Sequence, residues 1–162
     1  MSNTGGVVMQ RSDFPIPTTG ILATHFVVAQ DIETTARFYG DVLGGKVVLD
    51  GTAIGPGAPT YVKFANIWII INSGGGPTPD KPEIVLDVHD DPNRYDTFLN
   101  LRVADIQALY NEWRGRGAEF LTPPLDNHGY EIRCYMRDPD GRIIEVGQAT
   151  GFLDVISATS SP

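Results

Sequence analysis

Thr24-His25-Phe26-Val27-Val28-Ala29-Gln30-Asp31-Ile32 and, 74 positions later (105 minus 31), Phe98-Leu99-Asn100-Leu101-Arg102-Val103-Ala104-Asp105-Ile106 are the two stretches that decide the fold. Each is a β-prone run that ends at an aspartate suited to cap a helix. Each leads into a helical pattern: Ile32, Ala36, Tyr39 and Leu43 share one face of the first, and Ile106, Leu109, Tyr110 and Trp113 share one face of the second. Glycines stop both helices, at Gly44-Gly45 and at Gly117, and a shift of 73 (117 minus 44) lays one exit on the other. The chain therefore reads as a duplicated strand-helix-strands unit.

The same order extends outward from both stretches. In the first half a strand over Ile21 to Ala29 and a helix opened by Asp31 are followed by strands at Lys46 to Asp50, Tyr61 to Ala65 and Ile67 to Asn72, with the Gly/Pro-rich loop Gly51 to Pro59 between them. In the second half the strand Phe98 to Val103 and the helix Asp105 to Arg116 precede strands at Glu119 to Leu121, Ile132 to Met136 and Ile143 to Val146. Asp138-Pro139-Asp140-Gly141 is a turn between the last two, because proline fixes the backbone and glycine supplies the positive φ. The expected class is α+β, built from two βαβββ modules. Residues 1–20 read as a flexible arm, 21–148 as one domain (first module 21–72, connector 73–96, second module 97–148), and 149–162 as a weakly patterned tail. The connector holds Gly74-Gly75-Gly76, an acidic cluster at Asp87, Asp90 and Asp91, and one short expected strand at Ile84 to Val88.

A chain of 162 residues suffices for one domain whose two halves share a core. Twelve basic against twenty acidic residues give a net charge of -8, which argues against nucleic acid or an anionic membrane as partner. A small molecule or another protein remains. Cys134 is the single cysteine, so no internal disulfide forms, and it reads as an inert packed thiol. No export signal and no apolar run of membrane-spanning length is present, so the expected location is the cytoplasm. Gly74-Gly75-Gly76 lacks the lysine and hydroxyl residue of a phosphate loop.

Three strings, Phe38-Tyr39-Gly40-Asp41-Val42-Leu43-Gly44-Gly45, Arg116-Gly117-Ala118-Glu119-Phe120 and Arg137-Asp138-Pro139-Asp140-Gly141-Arg142-Ile143-Ile144-Glu145, occur in order within the duplication. Together they resemble the vicinal oxygen chelate superfamily of glyoxalases, bleomycin-resistance proteins and extradiol dioxygenases. The resemblance implies a curved mixed sheet around a cavity. In enzymatic members it implies a divalent metal, held by His and Glu from the first and last strands of each module, that grips two neighbouring substrate oxygens. The implied positions are Thr24, Phe98, the strand Trp68-Ile69-Ile70-Ile71, and Glu145. Only Glu145 is a ligand type, so the usual metal set is largely missing. His25, one residue from its expected place, faces the helix side by alternation; a β-bulge near Thr24 would turn it toward Glu145 as a ligand or general base. A divalent metal, if held at all, would rest on His25 and Glu145.

Alternation also assigns the cavity wall. If Leu99, Leu101 and Val103 face the helix, then Phe98, Asn100 and Arg102 face inward, joined by Thr24, Phe26 and Val28 from the first module. An inward arginine is paired with Glu145 or another acid, or it grips a substrate carboxylate or phosphate. Trp68, Tyr61, Tyr135 and Phe98 are aromatic wall or plain core. His128, in the loop Pro123 to Tyr130, is a candidate at the cavity mouth, whereas His89 beside its aspartates is either a surface metal site or part of a solvated loop.

Three readings follow. The resemblance implies a glyoxalase-like enzyme that acts on a small oxygen-rich molecule by proton transfer or by lyase or isomerase chemistry, metal-independent, with Glu145 and His25 catalytic and Arg102, Asn100, Phe98, Thr24, Phe26, Trp68 and His128 binding. The alternative is a non-catalytic drug- or antibiotic-binding protein of the bleomycin-resistance type. The third is a sheet that serves only assembly. By analogy with the family, a homodimer is expected.

Overall fold

The computed structural model describes residues 10–159. Its first module runs β1 (His25–Val28), α1 (Ile32–Arg37), β2 (Lys46–Leu49), β3 (Thr60–Phe64) and β4 (Ile67–Asn72). The second runs β5 (Leu99–Arg102), α2 (Ile106–Gly115), β6 (Glu119–Phe120), β7 (Leu125–Asn127), β8 (Glu131–Arg137) and β9 (Ile143–Ala149). The α+β duplication read from the sequence is thus present. It is hydrogen-bonded as two sheets, one of four strands in the order β1-β4-β3-β2, and one of five in the order β5-β9-β8-β6 with β7 also on β8. In both, the first strand lies parallel to the last, His25 opposite Ile69 and Leu99 opposite Ile144.

Both helices start as their aspartates dictate. Asp31 accepts from the backbone N–H of Thr34 and Asp105 from that of Ala108, satisfying donors left free in a first turn. The first helix is not uniform. After Arg37 it widens into a π-helical turn over Phe38–Val42, with Leu43 N–H donating to Phe38 C=O at 3.0 Å. Gly45 closes that turn because a Cβ there would sit 2.6 Å from the Tyr39 carbonyl.

One face of each sheet carries the core. Val27, Val62, Ile69 and Ile71 of the first sheet and Cys134, Met136, Ile144 and Val146 of the second are at most 2% exposed, and they pack with Tyr39, Leu43, Ile106 and Trp113. Alternation sends the intervening residues to the opposite, open faces.

Several boundaries differ from expectation. The first strand begins at His25 rather than Ile21: its ladder to β4 starts with His25 opposite Ile69, and Ile21 to Thr24 lie exposed ahead of it. Ile84 to Val88 forms no strand; only isolated bridges, Gly75 with Leu86 and Thr78 with Lys81, fold the connector on itself. The tail contains a helix, α3 (Phe152–Thr159). The arm expected at residues 1–20 lies in part outside the described residues; within it Arg11–Asp13 form a 3-10 turn.

The turn Asp138-Pro139-Asp140-Gly141 does more than reverse the chain. Asp140 accepts from Gln30 N–H and from the Thr35 hydroxyl, both at 3.0 Å, and Asp138 accepts from the Tyr39 hydroxyl at 3.4 Å. Arg142 Nη1 lies 2.7 Å from Asp138 and 3.2 Å from Asp140. The second module is therefore locked onto the first module's helix by a buried ionic knot. From the other side, Arg116 donates to the Val42 carbonyl at 3.4 Å.

Candidate functional site

The open face of the second module carries a connected row of polar side chains. Glu145, in the middle of β9, pairs in register with Asn100 on β5 and Tyr135 on β8. Glu145 is 7% exposed, and its carboxylate is held on both oxygens, by Asn100 Nδ2 at 2.6 Å on Oε1 and by the Tyr135 hydroxyl at 2.6 Å on Oε2. Such short contacts to a buried carboxylate are what makes its burial tolerable. Burial first, and the Glu145 carboxylate second, push the Tyr135 phenol above its ordinary range.

One pleat along, Arg102 Nη1 lies 2.7 Å from Glu131 Oε2 and 3.9 Å from Glu145 Oε1. Arg102 is therefore paired mainly with an acid other than Glu145. Glu131 also accepts from Asn127 Nδ2 at 3.1 Å and has Arg133 Nη1 at 3.6 Å. The hydrogen bond from Arg102, ahead of the other contacts, holds the Glu131 carboxyl below its usual range. Gly147 lies between Arg102 and Arg133 in register, and a Cβ on it would collide with the Arg102 guanidinium. A glycine in the strand interior is what allows Arg102 to lie across β9.

The first module's open face is different in kind. Phe26 is 47% exposed, Ile70 is half-buried, and Trp68 lies under the Lys63 ammonium, 5.1 Å from ring centroid to Nζ. Thr24 is exposed just ahead of β1. Phe98 is exposed just ahead of β5 and, with Phe26 and His25, lines a cavity of about 360 Å³ between the modules.

His25 is not turned to this polar row. The β1–β4 register is regular, without the bulge that would rotate it, so it shares the side of Val27 and faces the Arg142 knot. Burial, then the Arg142 charge, lower its pKa below 6.5, and Asp138 opposes them. His128 is exposed, with φ of 56°, at the tip of the β7–β8 turn. His89 stacks on Tyr95 with centroids 5.2 Å apart and accepts from Asp91 N–H through Nδ1. Among the described residues no three His, Cys, Asp or Glu side chains group to hold a metal.

The donor set therefore does not fit a chelated divalent metal. Thr24, Phe98 and the face presented by Trp68 and Ile70 supply no ligands, and both oxygens of Glu145 are engaged. Of the residues expected from the sequence, the structure brings Asn100, Arg102 and Glu145 together. It adds Glu131 and makes Tyr135 a hydroxyl donor. Glu131-x-Arg133-x-Tyr135, alternating against Ile132, Cys134 and Met136, is the signal that reveals them once the strand is extended by one residue.

Comparison with known proteins agrees with this architecture. The family profile of the Glyoxalase/Bleomycin resistance protein/Dioxygenase superfamily matches residues 21–146. An integron cassette protein from Vibrio cholerae superposes with a TM-score of 0.58 at 23% identity, covering 82% of this chain and 97% of that one. The fosfomycin resistance protein FosX of Listeria monocytogenes gives a TM-score of 0.58 at 14% identity over 82% and 95% of the two chains. TnmS3, an antibiotic binding protein from a Streptomyces species, gives 0.55 at 20% identity over 83% and 99%. No curated protein matches. At these identities the superpositions speak for the fold alone, while the profile spans most of the sequence: the chain belongs to the Glyoxalase/Bleomycin resistance protein/Dioxygenase superfamily.

Proposed function

We propose that this protein binds a small oxygen-rich organic molecule on the open face of its second module, without a chelated metal. The observation that carries this reading is the fixed row Asn100–Glu145–Tyr135 beside the Arg102–Glu131 pair. These groups are already oriented by one another, so a ligand meets donors that need little reordering. Phe26 and Phe98 are apolar surface for the ligand's body, whereas Trp68 is buried beneath Lys63 and His128 stands apart at its turn. The neighbour described as an antibiotic binding protein supports binding as an activity this fold can perform.

Catalysis by proton transfer is the second reading, and a specific feature favours it: Glu145 is a buried carboxylate in a short hydrogen bond with a hydroxyl. To act as base on a ligand it must first release Tyr135 or Asn100. His25 stands on the wall of the cavity between the modules, beside Arg142, and takes no part in the polar row.

A panel of oxygen-rich aromatic and aliphatic compounds, screened by ligand-dependent thermal stabilisation, is the direct test. Hits that disappear in Asn100→Ala and survive in His25→Gln support the site. Hits that ignore Asn100 and Arg102 overturn it. A Glu145→Gln variant that binds but no longer converts a hit marks an enzyme; unchanged hit compound in the wild type marks a binding protein.

Two copies are the expected assembly, by likeness to the family. Light scattering on the eluting protein decides it. No helix among the described residues is long and apolar enough to cross a membrane. The buried single thiol suits the cytoplasm.

A further inference from the structure

A hollow of about 660 Å³ at the end of the second sheet is lined by Arg102, Asn127, Tyr130, Glu131, Ala149 and Phe152. It adjoins the polar row through Arg102 and Glu131. We infer that this hollow anchors a planar aromatic carboxylate, its ring between Tyr130 and Phe152 and its carboxylate on the outward edge of the Arg102 guanidinium. The inference rests on the reading of the open face as a small-molecule site and names the ligand class it selects.

Two features show that the hollow is built. Its aromatic walls come from separate elements, with Tyr130 45% and Phe152 54% exposed. They are tied together by Thr150 and Gly151 N–H groups donating to the Tyr130 carbonyl at 3.0 and 3.2 Å, and by the Thr150 hydroxyl donating to Gly129 C=O at 3.2 Å. Gly151 admits no Cβ, which would strike the Gly129 carbonyl, so the chain approaches as closely there as it can. The second feature is the tether of the cation. Gly147 lets Arg102 lie across β9, Glu131 fixes Nη1, and the side chain stays 49% exposed, so the remainder of its donor fork is free to face a ligand.

Charge selects the partner. Glu145 is met by Asn100 and Tyr135, while Glu131 is shared by two guanidiniums, Arg102 and Arg133. Arg102 lies 2.7 Å from Glu131 and 3.9 Å from Glu145 through Nη1 alone, so it is the rest of its donor fork that selects the partner. A carboxylate takes two parallel N–H bonds from an arginine, which a neutral amide or an ammonium does not.

Titrating the full chain calorimetrically with 2-naphthoate, 2-naphthamide and 2-naphthylmethylamine tests this. The expected result is binding of naphthoate, with the amide and amine weaker by at least about tenfold. Arg102→Gln and Gly147→Ala should each weaken naphthoate by at least about tenfold. Gly147→Ala keeps the charge and displaces only the flexible end of Arg102, so its melt should stay cooperative. Phe152→Ala should weaken binding severalfold without affecting the preference for the carboxylate. Equal affinity for the three probes, or naphthoate binding indifferent to Arg102→Gln, overturns the inference. So does failure of naphthoate to bind; a compound of the wider panel that still depends on Asn100 then leaves the broader reading of the open face standing.

Discussion

The two modules reverse the chain at equivalent places with opposite chemistry. Between β3 and β4 the first module turns through Ala65 and Asn66, both exposed, with Ala65 at φ of 48°, beside a hollow of about 430 Å³ against Leu101, Val103, Leu109 and Trp113 of its neighbour. Between β8 and β9 the second module turns through Asp138 to Gly141 and drives two carboxylates into the other half. The open faces diverge likewise, apolar with Phe26, Trp68 and Ile70 in one and polar with Asn100, Arg102 and Glu145 in the other. Duplication kept the backbone path, and specialisation was placed in side chains that leave it undisturbed. One copy became the fastener and the polar surface; the other became the wall.

Asp138→Ala is the sharpest way to break this asymmetry. Its side chain is fully buried, and it bonds Arg142 as well as the Asp140 and Arg142 amides. Removal leaves the guanidinium with Asp140, 3.2 Å away, as its acid and strips two amides of their acceptor, and a loss of about 3 kcal/mol or more in denaturant unfolding is expected. Thr35→Val deletes one partner of Asp140 and should cost about 1–3 kcal/mol by the same measurement. Asn66→Ala, at the turn of the other module, should change stability by no more than about 0.5 kcal/mol. If the two turns cost the same, the contrast drawn between them is wrong.

Protonation probes the seam more gently. Because His25 has a folded pKa below its unfolded value of 6.5, the unfolded chain takes up the proton first. Its contribution is complete above pH 6.5 and declines as the pH falls from there toward the folded pKa. His25→Gln should flatten that part of a stability-versus-pH curve while leaving the more acidic limb, where Glu131 with its lowered pKa also loses its contribution, in place. A curve unchanged by the substitution would remove His25 from the seam. The smallest expected effect concerns metal. After exposure to nickel, zinc, manganese and ferrous iron and desalting, elemental analysis should find no stoichiometric ion, and Glu145→Ala should alter nothing. A full equivalent lost in that variant would contradict the donor-set argument.

Much of the fold was legible because it is local. Asp31 and Asp105 marked their helices, and β4 runs from Ile67 to Asn72 as its apolar run demanded. What escaped depends on distant partners. Nothing near Ile21 tells that the ladder to β4 starts only at His25, and nothing near Phe38 tells that the first helix widens there into a π-helical turn. For the site, alternation from the strand after Thr97 put Asn100 and Arg102 on the correct face, since period two is a local property. It could not say that Arg102 would choose Glu131, nor that the turn's aspartates would reach Thr35 and Tyr39 from about a hundred positions away.

Cys134 offers a use of its own. It lies in the middle of β8 with no exposed surface, and burial raises its thiol to about 11. Two barriers thus suppress its reaction with an alkylating reagent in the closed protein, low thiolate fraction and lack of access. Modification then proceeds only through openings that part β8 from the helices above it. The rate of that single reaction, followed by mass spectrometry, makes the lone sulfur a stopwatch for how often the second half of the molecule comes apart.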